Sequence, residues 1–300
     1  MKIISRSIQN ADEFQRKHRF LGFLHALIKK YGDDQMGHQA ALLTYFAFLA
    51  LFPLLLVLAT VAGLLVDSHP SIHSSILEST NRYFPVLGSQ LSERVNTIHK
   101  TGTALAIGLL IALYGARGVA DAFRNGVNHI WGVPNHKRDG FPKSTAKNFA
   151  IIILGGLGLV TASLTATMAA SAGSGLEFKL LSLTINLIVL FWSFIFILNL
   201  SLPKHVTFAE VRSGAATAAI GLVTLQVFGG IVLTRQLKNL DALYSNFAIT
   251  LGLLFWLYLQ SQVVYYAVEI AYIRAKKAYP RSLNGDNPTK ADKAFDPKIK

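Results

Sequence analysis

Residues 40–66 read AALLTYFAFLALFPLLLVLATVAGLLV, and this 27-residue stretch contains no Lys, Arg, Asp or Glu. A helix needs about 20 apolar residues to cross the hydrocarbon core of a bilayer. A soluble helix would carry charge on its outer face, because a helix that is apolar all round must be buried on every side. Four further stretches of more than 20 residues lack these charged residues: 148–176, 180–203, 213–234 and 242–268. The sequence therefore predicts an all-α, polytopic membrane protein.

Composition agrees with this fold class and argues against several kinds of catalytic site. Of the 300 residues, 52% are hydrophobic and only 15% are charged, whereas soluble domains average about 25% charged residues. The chain contains no cysteine, which excludes disulfides and thiolate metal sites within it. The nine histidines show no metal-binding spacing, and no phosphate-binding Gly-Lys-Ser/Thr loop or Gly-x-Ser-x-Gly turn occurs. We therefore predict no metal site, no cofactor and no enzymatic activity.

A sixth span is predicted at 101–123, although only Thr101–Ala116 is free of charge before Arg117. With this span, 22 lysines and arginines fall on the cytoplasmic side and six on the other; without it, the split is 10 inside against 19 outside. Because cytoplasmic loops carry an excess of Lys and Arg, six spans with both termini cytoplasmic are favoured. The spans lie at about 40–66, 101–123, 148–171, 180–202, 213–234 and 246–273.

Three segments follow from this topology: a cytoplasmic arm at 1–37, a membrane domain at 38–275 and a cytoplasmic tail at 276–300. The external segment 67–100 is too long for a plain turn and is typical of two short helices split at Pro85. It is either a cap over the bundle or an inert excursion. The tail is rich in Lys, Asp, Asn and Pro and is predicted to be disordered.

The net charge of +13 is explained by basic segments at a membrane surface, and we predict no specific nucleic-acid partner. Residues 12–30 form a predicted amphipathic helix that lies on the inner leaflet, with Phe20 and Leu24 on its apolar side. Seven cations are predicted to contact anionic lipid headgroups: Arg16, Lys17, Lys29, Lys30, Arg274, Lys276 and Lys277. Membrane lipids are therefore the predicted partners, and the sequence leaves open whether the protein forms a homo-oligomer.

One proline and two glycines within the spans are candidate hinge or packing positions. Pro53 lies in the middle of the first span, where it removes one backbone hydrogen bond and is expected to bend the helix. Gly158 begins a row of small residues in the third span, and Gly214 begins a shorter row in the fifth. Small residues let membrane helices approach closely, so a packing role is favoured for the glycines. A bend at Pro53 is either static or a hinge.

Ionisable residues within a span are candidates for a substrate or ion pathway, because their burial is costly. Arg117 and Asp121 are four residues apart, so they share a helix face and can pair. In the alternative interpretation they lie at the cytoplasmic end of the second span, extend to the headgroups and fix the orientation of the helix.

A polar stripe follows one side of the last span. It consists of residues at helical spacing: Asn246, Thr250, Tyr258, Gln262, Tyr265 and Glu269. We expect this side to face the bundle interior, with Glu269 meeting a cation such as Arg117 or Arg212. Asn186 in the fourth span and Gln226 in the fifth are predicted to line the same interior. The alternative is that these groups only hydrogen-bond the helices together.

Four quoted stretches, in order along the chain, carry a family resemblance. They are GHQAALLTYFAFLALFPLLLVLA (37–59), LYGARGVADAFRNGVNHIWGVP (113–134), VTFAEVRSGAATAAI (206–220) and LLFWLYLQSQVVYYAVEIAYIRA (253–275). The set resembles the BrkB/YihY family of bacterial inner-membrane proteins. The resemblance implies six membrane helices, a link in some members to serum resistance or to lipid or lipopolysaccharide export, and a ribonuclease BN label now regarded as mistaken.

The resemblance also singles out individual positions. The residues that match the family are Pro53, Arg117, Asn128, Trp131, Gly214 and Glu269. The chain departs from the family just before the last of these, because Ala267 and Val268 stand where the family often has a Gly-Ala pair.

The leading functional hypothesis is a transporter-like protein of the bacterial inner membrane that moves or senses a lipid or another amphipathic envelope substrate. Basic interfacial segments would gather anionic headgroups, and the polar stripe would shelter them. One alternative is a non-transporting scaffold that organises envelope machinery. A less favoured alternative is a ribonuclease, which would need a water-exposed metal site.

Overall fold

The computed structural model describes residues 12–66, 102–171, 175–203, 206–237, 242–283 and 288–295. Throughout these ranges the regular structure is helical, which confirms the all-α prediction. The helices are α1 (Arg19–Asp33), α2 (Met36–Val66), α3 (Gly102–Ile130), α4 (Lys143–Ser171), α5 (Leu176–Ser201), α6 (Phe208–Leu237), α7 (Ala242–Ala275) and α8 (Lys290–Phe295). A further helical segment at 12–17 precedes α1.

Helices α2 to α7 are the long elements, at 26 to 34 residues each, and each coincides with one of the predicted spans. Among the described residues, two helical stretches are long and apolar enough to cross a membrane, Leu180–Ser201 and Thr250–Ala275. Met36–Leu51 is a shorter apolar helix. The predicted external helices at 67–100 lie outside the described residues.

Apolar side chains are exposed on the surface of all six long helices. Examples are Leu42 and Leu49 on α2, Leu110 on α3, Ile153 on α4, Ile188 on α5, Ile220 on α6 and Phe255 on α7. A soluble protein keeps most side chains of this size inside, and large exposed apolar surfaces are typical of membrane or partner contact. The exterior of the bundle therefore suits hydrocarbon.

Helix ends are set by residues in the left-handed backbone region. Gly132, at φ +64°, ends α3, and the Val133 N–H donates back to the Asn128 carbonyl. Lys277, at φ +50°, ends α7 in the same way, with the Ala278 N–H donating to Ile273. This is the usual helix C-cap arrangement. As a result α3 runs seven residues past the end of the predicted span at 123.

Glycines bring the long helices into close contact. α2 packs along α3, α6 along α7, and α4 and α5 on each other. A Cβ at Gly214 of α6 would lie 2.6 Å from the Ala267 carbonyl oxygen of α7. A Cβ at Gly158 of α4 would lie 3.2 Å from the Ser193 hydroxyl of α5. Both glycines therefore lie at helix contacts, which is the packing role that their small size favours.

Helix α1 has two different faces. Its buried face, made by Gly22, Ala26, Leu27 and Lys30, packs on the bundle, where α1 contacts α2 and α7. Phe20, Leu24 and Ile28 form an exposed apolar row, spaced four residues apart. Helix α1 therefore packs on the bundle with one face and exposes a row of apolar side chains on another.

The C-terminal tail packs against α1, so the prediction that it is disordered is wrong for residues 276–283 and 288–295. Arg281 Nη1 lies 2.7 Å from Asp33 Oδ2, and Arg281 Nε lies 3.1 Å from Asp292 Oδ1. Lys29 Nζ donates to the Ser282 carbonyl at 2.6 Å. A polar composition suggested disorder, but these polar groups bind one another and bury Arg281, Ser282 and Asp292.

Candidate functional site

A lysine is buried with two carboxylates where α1 meets α7. Lys30 Nζ lies 3.0 Å from Glu269 Oε2 and also pairs with Asp34 in the turn after α1. The Lys30 side chain is 2% exposed and that of Glu269 is 0% exposed. We call Lys30, Asp34 and Glu269 the lysine–carboxylate centre. An ammonium and a carboxylate can be buried together because each compensates for the water that the other loses.

Lys30 has two further contacts that fix its position. Its Nζ donates to the carbonyl of Ile130, the last residue of α3, at 3.3 Å, and lies 4.5 Å from the centre of the Tyr272 ring. A cation is favourable at the carboxyl end of a helix and over an aromatic face. The centre therefore fastens together α1, the end of α3 and α7.

Two tyrosines surround this centre with further hydrogen bonds between helices. Tyr31 of α1 donates to the Gln262 side chain, and its ring stacks on Tyr266 with centroids 4.0 Å apart. Tyr265 is fully buried and donates to the Ala122 carbonyl of α3 at 3.1 Å. The Tyr265 ring lies against Gly126, where a Cβ would clash with it. Gln262 and Tyr265 thus connect helices.

The structure corrects two predictions about this region. Glu269 is paired with Lys30, and not with Arg117 or Arg212. Lys30 is buried in that pair and cannot contact lipid headgroups, although the sequence placed it on the polar face of a surface helix. Spacing within the spans could not find this pair, because it depends on the N-terminal arm folding back onto the last long helix.

A second polar group, the α3–α4 network, ties the end of α3 to the start of α4. Arg124 donates to the Ser144 carbonyl at 3.0 Å and to Asn148 Oδ1 at 2.8 Å. Asn128 donates to the Ser201 carbonyl at the end of α5 at 3.0 Å. Asn128 was identified by family resemblance, but Arg124 and Asn148 were not singled out. The partners of Arg124 lie 20 and 24 residues away along the chain, and helical periodicity does not predict contacts at such separations.

The Arg117–Asp121 pair lies beside this network and faces outward. Arg117 Nε is 3.7 Å from Asp121 Oδ2, and the two side chains are 48% and 41% exposed. Asp121 also accepts from Asn148 Nδ2 at 2.5 Å. One turn and two turns earlier on the same face are Tyr114 and Leu110, which are 80% and 68% exposed. We call Leu110, Tyr114, Arg117 and Asp121 the α3 stripe.

Asn186 and Gln226 form a third polar group. Asn186 Nδ2 of α5 lies 3.4 Å from Gln226 Oε1 of α6, and the Asn186 side chain is buried. The seven predicted pathway residues are thus divided among three groups with different partners: the α7 residues near α1 and α3, the exposed pair on α3, and this α5–α6 pair. Pro53 falls within the unbroken helix α2.

The remaining headgroup candidates are mostly accessible. Lys17, Arg274, Lys276 and Lys277 are exposed. Arg16 pairs with Asp12 at 2.5 Å, and Lys29 is bound to the tail. Arg274 lies over the Phe23 ring, with 5.4 Å between its Cζ and the ring centroid. In the described part of the chain, no cluster of three or more His, Asp or Glu residues has a metal-binding arrangement.

Comparisons with known proteins agree with a membrane protein. A family model described as virulence factor BrkB matches residues 27–292. A UPF0761 membrane protein of Psychrobacter sp. (strain PRwf-1) is 27% identical over 88% of this chain, which spans only 51% of that relative. The inner membrane protein YhjD of Escherichia coli (strain K12) is 25% identical, with 75% of this chain and 73% of that protein covered.

A third relative carries a different description. A Bacillus subtilis (strain 168) protein, YfkH, whose name describes it as ribonuclease-like, is 25% identical over 89% of this chain and 99% of its own length. No solved structure matches. The family match extends from the buried face of α1, through the six long helices, to the tail residue Asp292. The chain therefore belongs to the BrkB family of membrane proteins.

Proposed function

We propose that this chain crosses the bacterial inner membrane six times, with both termini in the cytoplasm, and moves or senses a lipid or another amphipathic envelope substrate. The six long helices supply the spans. The membrane names of two relatives support the location, and the cation distribution supports the orientation.

The observation that carries the substrate class is the α3 stripe. A charged pair follows two large exposed apolar residues on one helix face, so a single molecule could place an anionic headgroup near Arg117 and its chains along Tyr114 and Leu110. Arg117 keeps donor capacity for such a group, since Asp121 is shared with Asn148. A charge exposed on a membrane helix is expensive unless water or a headgroup reaches it.

The amphipathic helix α1 adds a second contact with lipid. Its apolar row of Phe20, Leu24 and Ile28 is exposed. The cation Lys17, just before α1, and the cation Arg274, on the facing helix α7, are exposed as well. Each cation near an anionic leaflet contributes about 1 kcal/mol to membrane attraction. α1 would therefore rest against the inner leaflet while its other face stays on the bundle.

A scaffold role is the second candidate, and one observation favours it. Gln262, Tyr265 and Asn186, which were expected to line a pathway, each bond a neighbouring helix. Groups used in this way hold a bundle together without a substrate. We propose no enzymatic role, and the ribonuclease-like name of the Bacillus subtilis relative is not carried over to this chain.

The test of substrate class is lipid retention by the purified protein. Arg117→Gln should lower co-purifying anionic lipid severalfold by mass spectrometry and leave zwitterionic lipid unchanged, because only the guanidinium is lost. Lys290→Gln, which removes an exposed cation in α8, is the matched control and should retain lipid as the wild type does. Equal anionic-lipid retention by wild type and Arg117→Gln would contradict the proposal.

A further inference from the structure

The lysine–carboxylate centre contains more negative than positive charge. Lys30 contributes one cation, whereas Glu269 and Asp34 both lie against it. Asp34 is 21% exposed, and Glu269 has no access to solvent. If both carboxyl groups were ionised, the centre would have one negative charge in excess, and water would reach only the Asp34 side of it.

Both carboxyl oxygens of Glu269 lack a well-formed hydrogen bond. Oε2 is ion-paired with Lys30 Nζ at 3.0 Å, but neither Oε1 nor Oε2 receives a hydrogen bond of good geometry from any described residue, and both oxygens are buried. An ionised carboxylate is an acceptor on both oxygens, and a buried acceptor left without a donor is strongly unfavourable. A carboxylic acid places a proton on one of its oxygens and removes this conflict.

The described residues around the centre offer no second positive charge. Lys30 from α1 and Asp34 from the turn belong to the centre itself. The groups that face it are Tyr31 from α1, Tyr272 from α7 and the carbonyl end of α3 at Ile130. Burial raises the pKa of Tyr31 and keeps its phenol neutral. The end of α3 adds partial negative charge. On α6, Arg212 is exposed, and Glu210 is bound to Thr207 and Lys276.

We infer that Lys30, Asp34 and Glu269 form a proton-binding site, and that the bound proton holds α1 onto the bundle. With one proton on the carboxyl pair, the centre is electrically neutral and Lys30 keeps an ionised partner. When the proton leaves, a buried negative charge remains. Opening the α1–α7 contact to water then relieves it, so loss of the proton loosens α1.

The proton itself is tested by infrared spectroscopy. Wild-type protein at neutral pH should show the C=O stretch of a protonated carboxyl group, and this band should vanish in both Glu269→Gln and Asp34→Asn. Either change leaves one carboxylate for one ammonium, so no proton is needed. The matched control is Glu210→Gln, which alters a carboxylate that is already well supplied with donors.

The coupling to α1 is tested by hydrogen–deuterium exchange of residues 19–33, corrected for the intrinsic effect of pH. Wild-type exchange should rise about tenfold or more between about pH 6 and pH 9, because each unit of pH changes the ratio of protonated to ionised carboxyl groups about tenfold. Exchange in Asp34→Asn and Glu269→Gln should stay flat, and that in Glu210→Gln should follow the wild type.

Several outcomes would overturn the inference. A wild type without the carboxyl band has two ionised carboxylates, and the centre is then a plain ion pair. A band that persists in both variants belongs to another group. Wild-type exchange that does not change with pH would show that loss of the proton does not loosen α1. Asp34 is partly exposed, so Asp34→Asn remains informative if Glu269→Gln does not fold. None of these measurements involves lipid, so they are independent of the proposed substrate class.

Discussion

At the scale of single residues, the burial of Lys30 shows how little a charge reveals until its partner is known. In the sequence it follows Lys29 in a basic helix, and both were assigned to lipid headgroups. In the structure Lys29 binds the tail, whereas Lys30 is buried against Glu269. Two adjacent lysines must point to different sides of a helix, since neighbouring residues are about 100° apart on it.

Replacing Lys30 should therefore destabilise the protein more than replacing any exposed lysine. Lys30→Met keeps the apolar stem but removes the ammonium, and breaking a buried ion pair in this way costs about 3–5 kcal/mol. Thermal unfolding of the purified protein in detergent measures the effect. The exposed Lys17 provides the matched control, and Lys17→Met should change stability by no more than about 0.5 kcal/mol. Equal unfolding temperatures for the two variants would show that the Lys30 pair contributes nothing.

At the scale of elements, the contact between α1 and the tail depends on Asp292. Burial disfavours its ionised form, but hydrogen bonds from the Ser282 and Thr289 backbones, the Thr289 hydroxyl and Arg281 outweigh this and lower its pKa to about 2. A carboxyl whose pKa is lowered on folding stabilises the fold above its ordinary value of 3.8, and the contribution is lost as pH falls toward the folded value.

Asp292→Asn should accordingly release the tail at neutral pH, because the amide cannot accept the same set of charge-assisted hydrogen bonds. Limited proteolysis should cut residues 276–295 severalfold faster in this variant, while the long helices stay intact. In the wild type the tail should remain protected down to about pH 4 and lose protection only as the pH approaches 2. Lys290→Gln changes the same short helix without touching these bonds and should be cut at the wild-type rate.

Elements differ in how well the sequence predicts them. Five of the six long helices follow from unbroken apolar composition, because a segment that crosses hydrocarbon must satisfy its own backbone hydrogen bonds, as a helix does. The span of α3 follows from the distribution of lysines and arginines. The Arg117–Asp121 pair follows from spacing within one helix. The lysine–carboxylate centre, the α3–α4 network and the tail contact join residues that are far apart in sequence, such as Arg281 and Asp33. Neither periodicity nor composition contains that information.

At the scale of the whole molecule, the proposed six-span arrangement has one orientation that the basic loops favour. Reporter fusions after residues 140 and 285 should read cytoplasmic, and fusions near 85 and 240 should read periplasmic, because basic loops remain inside. A periplasmic signal after 285 would contradict the six-span arrangement. A cytoplasmic signal near residue 240 would show that α6 and α7 are not two spans joined on the periplasmic side.

The central proposal is that this membrane protein moves or senses a lipid or another amphipathic substrate, and lipid flipping in proteoliposomes tests the movement most directly. Vesicles carry a fluorescent anionic phospholipid in both leaflets, and a membrane-impermeant reductant bleaches only the outer one. Wild-type protein should make the inner-leaflet lipid accessible to bleaching, and Arg117→Gln should slow this severalfold while Lys290→Gln does not. If bleaching of vesicles with wild-type protein stops at the same level as in protein-free vesicles, the result contradicts lipid movement and favours the scaffold.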